Sequence, residues 1–146
     1  MKLVRHGVFE TNSSSCHSLS VGNSGVYQSI TPNEDNLIVI DDSYEFGWSQ
    51  EMYTNTDERL AYAYVYAMDW SREYKEEFFN TLQQVVCEHT GASAVLHNKG
   101  EDSGYGYIDH QSVEDGELDY IFKDKGLLKS FIFDRDSWVE TDNDNH

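Results

Sequence analysis

The chain has 146 residues, with 27 acidic and 10 basic side chains and a net charge of −17. This length fits one domain with its own core, and an aromatic content of 14% argues against a disordered chain. Because lysine and arginine neutralise phosphate groups, so acidic a surface disfavours direct binding to nucleic acid and to anionic membranes. We expect a single domain over residues 1–146, with a short acidic C-terminal tail from about residue 140.

The N-terminal sequence has no apolar segment typical of a signal peptide, and no apolar run approaches the ~18 residues of a membrane span. We therefore expect a cytoplasmic protein. In a reducing compartment, Cys16 and Cys87 are expected to be free thiols, although a disulfide between them is the alternative.

Strands dominate the first part of the predicted fold. Residues 3–11 alternate weakly and predict a first strand, and residues 18–21 predict a second. Residues 36–41 contain the β-branched run Leu37-Ile38-Val39-Ile40, which is typical of a strand buried on both faces.

Two helices follow. Asn55 and Glu58 have the spacing of a capping box and predict a helix over residues 56–69, although the Tyr/Ala alternation at 61–67 also suits a strand. Residues 71–90 predict a second helix that ends at Gly91. Its apolar face is expected to contain Phe78, Leu82, Val85, Val86 and His89.

The C-terminal part predicts shorter elements. Residues 93–97 and 107–109 are expected to be strands that flank a glycine-rich loop at 99–106. Residues 117–125 predict a short helix ended by Gly126, and residues 127–133 and 137–140 predict a closing hairpin. Asp134, Arg135 and Asp136 would form its exposed turn. Together these elements predict an α+β fold, with a mainly antiparallel sheet packed against two central helices.

A polar segment at residues 11–17 is the first candidate site. Cys16 beside His17 is compatible with a thiolate nucleophile, although adjacent strand residues point apart and no third group orients them. The alternatives are a ligand-binding loop and a turn whose side chains bond to their own backbone. The ligand-loop residues would be Asn12, Ser13, Ser14 and Ser15.

Histidines and an aspartate form a second candidate set, which could in principle hold a metal. No pair has the spacing of a helical metal motif, so we predict no metal site and no cofactor. The set consists of His6, His17, His89, His97, Asp109, His110 and His146.

Acids interleave with aromatics between residues 41 and 53, which is the third candidate. Carboxylates steer a basic partner towards a surface and aromatic rings anchor it, so this pattern indicates a protein-binding face. An ordinary solvated loop with its rings turned inward is the alternative. The candidate partner-binding residues are Asp41, Asp42, Tyr44, Glu45, Trp48 and Glu51.

The N-terminal string GVFETNSSSCHS, residues 7–18, resembles the start of a loose family of small phage and prophage proteins with the pattern GVFETNSSSxHS. Residues 106–112 and 131–137 also resemble stretches of such proteins. Cys16 stands at the variable position, so the resemblance implies no role for it. If the matching segments meet in space, they would form one polar site from Asn12, Ser13, His17, Asp109, His110 and Ser112.

These observations predict a phage-encoded, non-catalytic protein that binds and modulates a host protein with a basic surface, such as a nucleic-acid enzyme or a defence complex. A small enzyme or ligand-binding protein that uses residues 12–17 with Asp109 and His110 is the alternative. Its catalytic candidates are Cys16, His17, Asp109 and His110. A virion or assembly component is the third hypothesis. The sequence makes no prediction of the oligomeric state.

Overall fold

A computed structural model describes residues 4–10, 15–41, 45–46, 51–69, 72–98, 107–108 and 118–143. The α+β class is confirmed, and the largest sheet is antiparallel. Its four strands have the order β1-β2-β8-β5. They are β1 (Val4–Glu10), β2 (Ser15–Val21), β5 (Glu51–Tyr53) and β8 (Trp138–Asn143).

The other strands in the described ranges form two short parallel pairs. The strand β3 (Leu37–Asp41) pairs with β6 (Ala94–Asn98), and β4 (Glu45–Phe46) pairs with β7 (Tyr107–Ile108). A parallel pair needs a long crossover, and two helices supply it between β3 and β6. The predicted strands near residues 36–41, 93–97 and 107–109 are confirmed.

The helix α1 (Thr56–Asp69) lies at the centre of the molecule. Every residue from Leu60 to Ala67 is at most 4% exposed, because α2, α4 and β3 all pack against this helix. A helix that is surrounded on all sides needs no polar face, which explains how a Tyr/Ala alternation is compatible with helix. One of the two hydrogen bonds of the predicted capping box is present: the backbone N–H of Asn55 donates to Glu58 Oε1 at 3.2 Å.

The helix α2 (Lys75–Thr90) follows a short 3₁₀ turn at Arg72–Tyr74, and the helix predicted over 71–90 is confirmed. Phe78, Leu82, Val85 and Val86 are buried, as the spacing predicts. Gly91 ends the helix with φ +82°, and its N–H donates to Cys87 O at 2.9 Å.

The prediction for residues 117–133 is wrong in its second half. The helix α3 (Asp119–Phe122) is followed by a second helix, α4 (Lys125–Phe133), instead of a strand. The carboxylate of Asp124 caps α4 by accepting from the Leu127 N–H at 3.1 Å. Leu128, Phe131 and Ile132 recur at helical spacing and are all buried. Gly126 therefore lies in the first turn of α4 and does not end α3.

Three further predictions are corrected. The strand β2 begins at Ser15, so part of the polar segment predicted as a turn belongs to a strand; the backbone ladders of β1 and β8 on either side stabilise it. The strand β3 is buried on one face only: Ile38 and Ile40 are buried, whereas Val39 is 47% exposed. Residues 140–143, predicted as a tail, lie in β8.

Candidate protein-binding face

The structure describes the backbone of some predicted site residues and not of others. Asp41, Glu45 and Glu51 lie in β3, β4 and β5, while Ser15, Cys16 and His17 lie in β2. The strand β2 and the strand β7, which precedes Asp109, belong to different sheets. The following predicted site residues lie outside the described residues: Asn12, Ser13, Ser14, Asp42, Tyr44, Trp48, Asp109, His110, Ser112 and His146.

The histidines described with their side chains have structural contacts. His89 Nε2 lies 2.8 Å from Gln28 O and therefore donates to it, and the His89 ring packs 4.2 Å from that of Phe133. The ring of His97 stacks on Tyr64 at 5.1 Å. Among the side chains that the structure describes, no group of three His, Cys, Asp or Glu residues is arranged to hold a metal ion.

The turn at residues 134–136 was predicted to be exposed, but Asp134 is fully buried. Its carboxylate accepts hydrogen bonds from Ser24 Oγ at 2.8 Å and from the backbone N–H groups of Ser24, Gly25 and Asp136 at 2.9–3.2 Å. Four donors satisfy this buried charge, which holds residues 22–25 against the end of α4. Asp134 thus has a structural role, because its carboxylate links residues 24–25 to the end of α4.

A thiol lies on α2. Cys87 is a free thiol, as expected, and burial raises its pKa. A raised pKa reduces the thiolate fraction at neutral pH, so Cys87 is a poor nucleophile.

The outer side of α2 and of its preceding turn is acidic. Glu73, Glu76 and Glu77 are exposed at its N-terminal end, and Asn80, Gln84 and Glu88 continue the exposed side at helical spacing. Within the described part of the chain, no lysine or arginine forms an ion pair with these acids; the one pair found there joins Arg135 and Asp136 at 3.7 Å. We call Glu73, Glu76 and Glu77 the α2 acidic face.

An apolar cavity of about 480 Å³ adjoins the α2 acidic face. Met68 and Phe79 provide its apolar surface, and both pack against the hydrophobic core. Glu73, Lys75 and Glu76 provide its charged groups. We call this cavity the Met68–Phe79 pocket. It combines the two features predicted for a protein-binding face, carboxylates and an aromatic ring.

These residues were not proposed from the sequence, because for this helix only the apolar face and the C-terminal glycine were considered. The position of Phe79 in the sequence could have indicated this site. It follows Phe78 directly, and adjacent positions on a helix differ by about 100°, so both rings cannot point into the same core. One ring therefore had to lie at the side of the helix, beside the exposed acids.

A second cavity, of about 270 Å³, lies between α2 and α4, and its lining contains two lysines. Lys125, Lys129, His89 and Glu88 contribute to its lining. The Lys129 ammonium lies 4.6 Å from the centre of the Tyr27 ring, so a contact within the chain already holds this cation.

Comparisons with protein-family models, with curated proteins and with solved structures give no match for this chain. In the ranges that the structure describes, no helix has both the length and the apolar character required to cross a membrane.

Proposed function

We propose that this chain is a phage-encoded, non-catalytic protein that binds a host protein with a basic surface, in the host cytoplasm, and modulates its activity. The observation that supports this proposal most directly is the α2 acidic face, with three exposed carboxylates that no described lysine or arginine neutralises. The phage origin and the host partner rest on the resemblance of residues 7–18 to phage proteins.

Exposed carboxylates attract a basic protein over a distance, because their electrostatic field extends into the solvent. Salt weakens this attraction because the screening length falls to ~10 Å at 0.1 M ionic strength. Charge alone gives little affinity, and a binding face also needs an apolar anchor. The Met68–Phe79 pocket provides one beside the acids. A nucleic-acid enzyme fits as the host partner, because such enzymes carry basic surfaces for phosphate binding.

Affinity capture from host lysate tests the proposal. The chain is immobilised, and the captured host protein is identified and quantified at rising NaCl concentration. We expect capture at low salt and release as salt rises. The double variant Glu76→Lys/Glu77→Lys should lose the partner.

The matched control is Glu34→Lys/Asp35→Lys, which changes the net charge by the same amount in an exposed turn next to the C-terminal end of α2. It should retain the partner. If both variants lost capture equally, the change in net charge alone would explain the loss. If neither variant lost capture, a role for the α2 acidic face would be contradicted.

Two further variants relate capture to the other predicted residues. Asp41→Lys/Asp42→Lys/Glu45→Lys tests whether the face predicted from sequence contributes to the same interface. His17→Ala should leave capture intact. If His17→Ala abolished function while the fold survived, the enzyme or ligand-binding hypothesis would replace the proposal.

A further inference from the structure

We infer that the Met68–Phe79 pocket binds an arginine side chain of the partner protein, with the guanidinium group at Glu73 and Glu76 and the aliphatic stem against Met68 and Phe79. This inference rests on the proposed function and specifies the chemistry of its central contact.

The volume and lining of the pocket favour a side chain that is apolar along its length and charged at its end. A cavity of about 480 Å³ lies within the ~300–1,000 Å³ range of small-molecule sites and is large enough for one long side chain. Its apolar surface comes from Met68 and Phe79, and its two carboxylates outnumber its one ammonium group, that of Lys75. An acidic or purely aliphatic side chain would leave one of these two carboxylates without a counter-charge, because Lys75 provides only one.

The Phe79 ring is held in place, which suits it to receive a planar cation. It meets Tyr64 edge to face at 5.8 Å, and Tyr64 in turn stacks on His97. A fixed ring loses little conformational freedom when a ligand packs against it. Cations bind to the faces of such rings, and arginine does so more often than lysine.

A contact within the chain shows that this region already holds a cation in the same way. The Lys123 ammonium lies 5.7 Å from the centre of the Tyr74 ring, and Glu73 precedes Tyr74 in the chain. Tyr74 is itself 38% exposed and stacks on Phe78 at 5.5 Å. The Met68–Phe79 pocket likewise has an aromatic ring and carboxylates in its lining, and among its described lining residues only Lys75 is a cation.

Arginine fits this pocket better than lysine for two reasons. Its planar guanidinium presents several N–H donors and can reach two carboxylates at once, whereas the lysine ammonium is a compact, strongly hydrated charge. The guanidinium is also weakly hydrated and therefore loses less solvation in an apolar cavity.

The test uses two synthetic nonapeptides that are identical except for the central residue, which is arginine in one and citrulline in the other. Citrulline has nearly the same shape and no charge. Binding is followed by NMR titration of the full chain. We expect the arginine peptide to bind about tenfold more tightly, with shift changes at Phe79 and Glu76.

Variants of the pocket and a matched control complete the test. Glu73→Gln/Glu76→Gln should abolish the arginine preference, Phe79→Leu should weaken it, and Lys75→Gln should strengthen it. The control, Glu34→Gln/Asp35→Gln, should leave it unchanged. Circular dichroism establishes that each variant is folded.

Equal binding of the two peptides, no binding of either, or an arginine preference that survives Glu73→Gln/Glu76→Gln would overturn the inference. The proposed function would still stand in each of these cases if Glu76→Lys/Glu77→Lys lost the captured host protein and Glu34→Lys/Asp35→Lys retained it. Failure of both experiments would remove the two proposals together.

Discussion

Arg59 shows how one charged side chain can organise a core. It is fully buried, and desolvation lowers its pKa to about 10, while the nearby Asp134 carboxylate acts in the opposite direction. Its guanidinium joins α1 to the end of α4 and the start of β8. It donates to the backbone oxygens of Thr54, Ile132, Asp134 and Ser137, and to Gln28 Oε1.

We predict that Arg59→Met lowers the free energy of unfolding by about 3 kcal/mol or more, because several buried carbonyl groups lose their donors. Urea denaturation measures the change. Arg135→Met is the control, since that side chain is 57% exposed and its ion pair with Asp136 is long. It should change stability by no more than about 0.5 kcal/mol. If both variants lost similar amounts of unfolding free energy, the buried hydrogen bonds of Arg59 would not be the cause of the destabilisation.

Tyr120 gives a pH dependence with a defined sign. Burial raises its pKa to about 12, whereas a tyrosine in the unfolded chain has a pKa of about 10. Between these two values the folded state keeps the proton that the unfolded state loses. The contribution of Tyr120 to stability is therefore complete below pH 10 and is lost as the pH rises towards 12.

The prediction is that the wild-type chain loses more stability than Tyr120→Phe between about pH 9 and about pH 11. The variant keeps the ring and removes the ionisable group, so the remaining tyrosines and lysines cancel in the comparison. Urea denaturation of both proteins at the two pH values measures the difference. If the wild-type chain and Tyr120→Phe lost equal stability, Tyr120 would have the same pKa in the folded and the unfolded chain.

At the scale of elements, the helices with terminal signals were predictable. Asn55 and Glu58 mark the start of α1, and Gly91 marks the end of α2, because capping depends on neighbouring residues alone. The helix α4 was missed because its aromatic and branched residues also suit a strand, and Asp124 was placed inside a preceding helix. Local composition was ambiguous there, and burial against α1 and α2 favours the helix.

The cap of α4 can be tested directly. Asp124→Ala should lower the free energy of unfolding by about 1 kcal/mol, because the Leu127 N–H loses its acceptor. Asp124→Asn should restore most of this loss, since asparagine caps nearly as well. Thermal and urea unfolding of the three proteins provide the comparison, and equal stability of the alanine and asparagine variants would rule out a capping role.

Strand pairing and the candidate site were less predictable than the helices. The parallel partner of β3 is β6, whose first paired residue, Ala94, lies beyond two intervening helices, so no local pattern indicates it. The acids and aromatics of residues 41–53 were recognised because they are adjacent in sequence. The Met68–Phe79 pocket joins the end of α1 to the start of α2, and only folding brings those residues together.

At the scale of the whole molecule, charge acts against stability and in favour of binding. A net charge of −17 on 146 residues produces self-repulsion that salt relieves. We predict that the thermal midpoint rises between roughly 10 and 200 mM NaCl, while partner capture declines over the same range.

Differential scanning fluorimetry at graded NaCl concentrations measures the first trend. The variant Glu34→Lys/Asp35→Lys, which is less negative by four charges, should gain less stability from salt than the wild-type chain. A midpoint that falls with NaCl would indicate that attractive charge pairs outweigh the repulsion.

The central ladder of the main sheet joins distant parts of the chain: Cys16 is paired with Asp142, and Ser20 with Trp138. During synthesis, β2 is therefore made long before β8, and until then β1 is its only available partner in this sheet. Until residue 143 has left the exit tunnel, one edge of β2 stays open to other chains. Early repulsion between nascent acidic chains would then protect this edge from aggregation before its proper partner arrives.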